Sequence, residues 1–519
     1  MLSRSIIVAL LWMFARGPLA PPAARLPPQV EDAIQQVTAD ELRAHVSVLA
    51  SDKLAGRGVG HAGNQQAESY IADALKNANV PPAAAGYLQQ VEVYQPLLGP
   101  AARLTVRAGR ETMIDLRVGG DFFPLPESAD RTAAGPVVFA GHGLSAPELK
   151  HDDYSRVDAA GAIVMVLDDA PDVVRQTGSL SSDDKTEIGG IDRKIRDARA
   201  HGAAALLVIR QYPGTAAYIW PEHASVRSAN YRLYGDLRTR PLVVGTISEH
   251  AAGPLRHALE RGQPLAATFN PDVIARPIVI DNILGMIDGG QASQEMVIVG
   301  AHLDHDGLDE AGQIYNGADD NASGTAAVLA IASAFARAAA HGSHPARTVV
   351  FALWNGEEKG SLGAEFYVRQ PVPARRIVAD INLDMVGREE EIPDPENPRF
   401  RGFNRTSAAQ NTNVVHLLGY SYSPDFAKLA EVANEPIRLT IKSDYDSGAQ
   451  GLVRRSDNWP FLANGIPALF LTTGLHPDYH TPGDDTERID FPKLERITEL
   501  AARLAWMAAD GDAPRFKAR

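Results

Sequence analysis

Cysteine is absent from all 519 residues, which excludes disulfide bonds and thiol catalysis. There is no basic block either. Lys and Arg total 50 against 64 acids, a formal net charge of −14, and that balance argues against a nucleic-acid partner. Near the start, the apolar run Ile6 to Ala15 is too short to span a bilayer. With Arg4 before it and Ala20 and Ala24 as candidate cleavage ends, it reads as a signal peptide over residues 1–24. The expectation is an exported protein, periplasmic or secreted, with no stable membrane insertion after signal removal. Hydrophobic content of 45% is ordinary, so cores form without covalent staples. At this length two core-bearing domains are expected, because single cores rarely grow past roughly 250–300 residues.

What the chain does have is a set of His and carboxylate clusters, each beside an apolar run. Met296-Val-Ile-Val299 leads into Ala301-His302-Leu-Asp304-His305-Asp306, and Gly317-Ala-Asp319-Asp320-Asn321 precedes an Ala-rich run with Val328, Ile331 and Phe335 at helical spacing. Thr348 to Trp354 runs into Asn355-Gly-Glu357-Glu358, and Arg376 to Leu383 into Asp384. Ile466 to Leu471 is followed by His476 and by Tyr479-His480. In an open α/β sheet, ligands gather beyond the carboxyl ends of the strands. Four strands that each deliver imidazole or carboxylate there describe a metal crevice, and these donors suit zinc. Spacing alone does not choose between Asp319 and Asp320, or between His302 and His305.

These motifs resemble the co-catalytic zinc aminopeptidases of the bacterial leucyl aminopeptidase and glutamate carboxypeptidase type. The matching stretches are Gly300-Ala-His302-Leu-Asp304-His305, Gly317 to Gly324, Asn355 to Gly360, Asn382-Leu-Asp384-Met and Tyr479-His480-Thr-Pro482. Arg455-Ser-Asp457, Gly465-Ile-Pro467 and the opening Leu49 to Arg57 also fit. The resemblance implies an α/β fold: a mixed-sheet zinc exopeptidase domain with helices on both faces. It implies two zinc ions, one on His302 and Asp384, the other on Glu358 and His480, with Asp320 bridging and a cis Asp320–Asn321 peptide. Three carboxylates offset much of the charge of two dications, which limits the cost of burial.

Glu357 is the expected general base, since it adjoins a ligand without being one and can act on a zinc-activated water. Tyr479 is a candidate oxyanion donor. Asp304, two residues past His302, is a candidate for orienting that imidazole. The implied reaction is removal of N-terminal residues from peptides with a free N-terminus. The alternatives are a carboxypeptidase, a glutaminyl cyclase-like enzyme, or a non-catalytic binding relative. The sequence leaves oligomeric state and side-chain preference open.

Between the motifs lies another unit. Pro136–Phe139, Ala162–Leu167, Ala205–Ile209 and Leu242–Gly245 read as strands, and Ile191 to His201 as a helix. This stretch resembles an inserted, β-rich protease-associated domain, expected over 120–275, with 30–119 and 276–519 forming one discontinuous catalytic domain. It lacks a ligand cluster and reads as a lid. Gly58 to Gly63 satisfies G-x-G-x-x-G but follows a helical stretch and has no acid at the distance a dinucleotide fold needs. His142, His151 and His257 are isolated and read as surface or packing residues, and Glu389 to Glu396 reads as a solvated loop.

Overall fold

A computed structural model describes residues 26–109, 112–126, 128–178, 182–210, 227, 230–237, 242–290, 292, 294–446 and 451–517. The signal peptide expected over 1–24 lies outside the described residues.

Among the described residues, the apolar runs beside the motifs become the centre of a nine-stranded mixed sheet. Four parallel strands stand side by side in the order Thr348–Trp354, Glu295–His302, Arg376–Leu383 and Ala468–Thr472. Val414–Leu418 extends the sheet antiparallel to the last of these, and Thr440–Lys442 follows it. On the opposite flank Val273–Ile287 and Leu88–Leu98 join antiparallel, with Arg232–Leu233 at the edge.

Alternate residues of each strand face opposite layers. Val297, Val299 and Phe351 enter one core, while Met296, Ile298 and Val350 enter the other. Burial on both faces explains why these runs are continuously apolar rather than alternating. The helices Ala62–Asn77, Gly324–Ala340 and Phe491–Asp510 cover the first face, and Leu362–Arg369 and Asn458–Ala463 the second. Gly324–Ala340 is apolar nearly all round because it sits under neighbours on most sides. Its Phe335 lies 5.5 Å from the Phe351 ring and 5.2 Å from Trp506, so truncation to Ala costs roughly 3–5 kcal/mol.

A second sheet has eight strands among the described residues, in the order Thr112–Leu116, Arg103–Ala108, Leu265–Asn270, Ala133–Phe139, Ile163–Leu167, Ala205–Arg210, Val243–Ser248 and Phe122–Pro124. The run from Ala133–Phe139 to Val243–Ser248 is parallel. Glu249–Glu260 packs on one face and Ile191–Ala200 on the other. The division at 119/120 needs correction, because Arg103–Ala108 and Thr112–Leu116 pair within this second sheet. The return comes at Val273, before the expected 276, and Arg232–Leu233 from within the expected insert edges the larger sheet. Alternating strands look alike in sequence whichever sheet they join.

Candidate metal centre

The parallel strands bring the clusters together at their carboxyl ends. His302 is the last residue of its strand, Asp384 directly follows Leu383, and Glu357 and Glu358 come after Asn355-Gly356. Gly356 turns the chain with φ 80°, a conformation that glycine adopts without strain. The Asp304 carboxylate then holds this turn, accepting from the amides of Gly356 (2.8 Å), Glu357 (3.0 Å) and Glu358 (3.3 Å). Here the structure adds to the sequence reading of Asp304. Its carboxylate fixes the Glu357–Glu358 turn, while its backbone carbonyl, 3.1 Å from His302 Nδ1, orients the imidazole.

Asp320 sits between two groups of donors. Its Oδ1 is 3.3 Å from His302 Nε2, which is also 3.3 Å from Asp384 Oδ1. Its Oδ2 is 3.0 Å from His480 Nε2, which is 3.4 Å from Glu358 Oε2. The two acids that spacing left open point in different directions, and Asp320 is the one that faces the donors. Asp319 turns away, with Oδ1 accepting from the Gly387 amide (2.6 Å) and Oδ2 facing His476 (3.3 Å). The Asp484 carboxylate accepts the amides of both Asp319 and Asp320, each at 3.0 Å, and the Asp320–Asn321 peptide is cis. His302 lies beside Asp384, whereas His305 Nδ1 meets Glu358 Oε1 at 2.7 Å.

The donor set fits metal better than it fits itself. His302 Nε2 and Asp384 Oδ1 are buried without an aligned hydrogen bond despite their 3.3 Å approach. The ligand-type atoms of His302, Asp320 and Asp384 lie within 4.8 Å of one another, as do those of His305, Asp320 and Glu358. Buried polar atoms normally find partners, so convergent unpaired donors mark a cation's place. Burial opposes charge on His302, but Asp384 and Glu357 raise its pKa well above the ordinary value. Burial likewise opposes the Glu358 carboxylate, yet His480 and His305 bring it down to about 2. Burial pushes Glu357 well up, and the carboxylates of Asp457, Glu358 and Asp384 add to that push.

Asp320, Glu357, Glu358, Asp384, Tyr479 and His480 line one cavity of about 320 Å³, and His302 lies close to two of them, Asp320 and Asp384. The wall continues with Met385, Leu452, Phe470, Leu475, Arg454 and Arg455. The Tyr479 ring lies 4.1 Å from that of His480.

Sequence reasoning missed several supports. Ser456 Oγ donates to Asp384 Oδ2 at 2.6 Å and accepts from Asn382 at 2.6 Å. Arg57 is buried and donates to the carbonyls of Leu303 (2.8 Å), Asn316 (2.7 Å) and Gly317 (2.9 Å), joining the His302 and Asp320 segments. Both lie in stretches already matched as motifs, which was the available signal. The loop from Glu389 also departs from its solvated reading, since Glu390 is buried and accepts from Tyr445 Oη at 2.5 Å. His142, His151 and His257 pair with single acids, and none joins a metal-type group among the described residues.

Comparison with known proteins agrees with this geometry. A probable glutamate carboxypeptidase of Arabidopsis thaliana is 24% identical over 283 residues, 51% of this chain and 36% of its own length. A probable zinc metalloprotease of Pyrenophora tritici-repentis is 29% identical over 262 residues, 46% of this chain and 58% of its own. The chain thus matches well under two thirds of each of these relatives. Among solved structures, the aminopeptidase from Aneurinibacillus sp. strain AM-1 shares the fold, with a TM-score of 0.51 at 17% identity, covering 94% of this chain and 97% of that one. Residues 282–505 match the model of peptidase family M28. Every residue of the two donor groups lies inside that stretch.

Proposed function

We propose that this protein is an exported metallo-exopeptidase that removes N-terminal residues from peptides with two zinc ions. The observation that carries the reading is Asp320, whose two oxygens address two separate groups. His302 and Asp384 would hold one ion and Glu358 and His480 the other, with Asp320 contributing to both. His305 Nδ1, donating to Glu358, sets the angle of that carboxylate. When bound, zinc there would acidify a water to near neutrality and polarise a carbonyl oxygen.

The chain's own residues complete the chemistry. Glu357, in the cavity wall beside the ligands, takes the proton of the attacking water and returns it to the leaving amine. Tyr479, in the same wall, donates to the substrate oxygen as negative charge develops there. The wall of Met385, Leu452, Phe470 and Leu475 accommodates an apolar side chain. The second sheet acts as a protease-associated lid over this cavity. Glu187 of that unit pairs with Arg454 of the cavity wall at 3.4 Å, which supports its placement beside the entrance.

One observation favours a second reading. Arg454 and Arg455 line the cavity, and guanidinium is the group that clamps a terminal carboxylate in a carboxypeptidase. Arg454 is already engaged by Glu187 and stacked 4.4 Å over Trp459, which leaves the aminopeptidase reading ahead. A substrate panel separates the two. Free aminoacyl amides and anilides should be cleaved and their N-acetylated forms left nearly intact. Chelators should abolish the activity and zinc restore it. Faster cleavage of N-blocked peptides with free carboxyl ends would establish the carboxypeptidase instead.

A further inference from the structure

We infer that Arg227 is a positioning residue for the metal centre, acting through Asp306 on the imidazole of His480. This inference rests on the two-zinc reading for its consequence, although its geometry stands apart from it. Arg227 falls in sequence between Ala205–Arg210 and Val243–Ser248, two neighbouring strands of the second sheet. Its guanidinium nevertheless reaches the carboxyl ends of the larger sheet's strands. Nε donates to Asp306 Oδ2 at 2.8 Å, and the same Oδ2 lies 3.4 Å from His480 Nδ1. Nη2 donates to the His480 backbone carbonyl at 3.3 Å, and Nη1 to Tyr315 Oη at 3.2 Å.

The guanidinium carbon also stacks 4.4 Å from the Tyr315 ring centre. The Arg227 backbone is fastened too, with Lys359 Nζ donating to its carbonyl at 2.9 Å and its amide donating to Leu308 at 3.3 Å. Lys359 directly follows Glu358 in the chain. One residue is therefore held from both sides of the donor cluster.

The consequence follows from the two edges of one imidazole. His480 Nε2 faces Asp320 and Glu358, and Nδ1 faces Asp306. A carboxylate on the far nitrogen fixes the tautomer and the plane of a ligating histidine and raises its basicity. Asp306 could do this alone, but it is buried with a side-chain exposure of 7% and needs a partner to hold its orientation. Arg227 supplies the charge and, through its second nitrogen, ties the backbone that carries the imidazole. The fork geometry matters here, because a lysine cannot span a carboxylate, a carbonyl and a phenol from one planar head. Asp306 also lies within ligand range of Glu358 and His480. Its Oδ2 is engaged by Arg227, and it meets the imidazole edge turned away from Asp320, so its part is to orient rather than to ligate.

The test uses the full chain with Arg227→Met, Arg227→Lys, Asp306→Asn and the Arg227→Met/Asp306→Asn double variant. In the metal-free protein, histidine-selective NMR should show a low-field His480 Nδ1 proton, identified by its absence in His480→Gln. Arg227→Met and Asp306→Asn should each shift or remove that signal, with Arg227→Lys between wild type and Arg227→Met. Zinc affinity measured by chelator competition should fall about 10–100-fold for one ion and remain unchanged for the other. The double variant should lose little more than either single one, since both act through one chain of contacts. An unchanged His480 signal in Arg227→Met, or losses that add, would overturn the inference. Should Arg227→Met fail to fold, Arg227→Lys and Asp306→Asn carry the same comparison. A wild type that binds no zinc would defeat the two-zinc reading, while the NMR result would still decide the role of Arg227.

Discussion

Both sheets bury charge beyond the ends of parallel strands, but they balance it in opposite ways. In the second sheet, Lys194 is 2% exposed and its ammonium donates to the carbonyls of His142 (2.7 Å), Leu167 (2.9 Å) and Asp169 (3.0 Å). Burial lowers its pKa, while Asp168 and Asp169 nearby favour its charge. The cation is part of the chain, and its three donors are all used. In the larger sheet, Asp320, Glu358 and Asp384 converge with His302 and His480, and buried donor atoms remain without aligned partners. The difference teaches how to read a buried polar cluster. A satisfied cluster is structure, whereas a convergent unsatisfied one is a place for an ion.

The sharpest way to break this comparison is to remove the bridging acid. Asp320→Ala should reduce bound zinc from two ions to at most one and take peptidase activity below detection, because both groups share this residue. Metal counting by plasma emission together with anilide kinetics checks it. Two tightly bound ions in this variant would show that Asp320 is no bridge.

Glu357→Gln is the next largest effect. It should retain both metals and lower kcat by at least roughly 10²-fold, the scale of lost general acid–base help. Loss of zinc with the remaining rate unaffected would assign Glu357 to the ligand set instead.

Lys194→Met sharpens the contrast from the other sheet. Three carbonyls would lose their donor, at a cost of roughly 1–3 kcal/mol in the stability of that unit. Zinc content and kcat on short anilides should stay at wild-type values. Thermal unfolding alongside metal counting tests this, and a drop in zinc content would mean that the two sheets do not divide structure from chemistry as described.

An effect on stability alone, read through its pH dependence, is expected at Glu68, an acid that binds Asn355 beside the Glu357 turn. Its Oε1 accepts from the Asp281 amide (3.1 Å) and from Asn355 Nδ2 (2.7 Å). Burial raises its pKa from 4.5 to about 7. The folded chain thus holds this proton more tightly than the unfolded chain. That stabilising contribution is complete below about pH 4.5 and is lost as pH rises through about 7. Glu68→Gln lacks the proton equilibrium, so wild type should lose stability relative to it between those pH values. Denaturant melts at pH 4, 6 and 8 measure the difference, and a constant gap would refute the burial argument.

The two outcomes in the sequence also differ for physical reasons. The proposed ligands could be picked out because most stand at or within a few residues of a strand end, as in Leu383-Asp384. Arg57 was not, because its bond to Leu303 closes a separation of 246 residues that no local pattern encodes. Arg227 has the same character, meeting the His480 carbonyl across 253 residues. The early edge of the second sheet escaped for a related reason. Arg103–Ala108 alternates buried and exposed residues like any sheet strand, and its partner, Leu265–Asn270, lies far along the chain. Half of the role of Asp304 was hidden, because its nearness to His302 in sequence gave no sign of three amide partners from another strand end.

The central claim is that two zinc ions sit on either side of Asp320. Anomalous scattering at the zinc edge from crystals of the zinc-loaded protein tests it directly. The account predicts two peaks about 3.5–4 Å apart, one beside His302 and Asp384, the other beside Glu358 and His480. A single peak, or a peak held by Asp306 or Asp319 in place of Asp320, would contradict it.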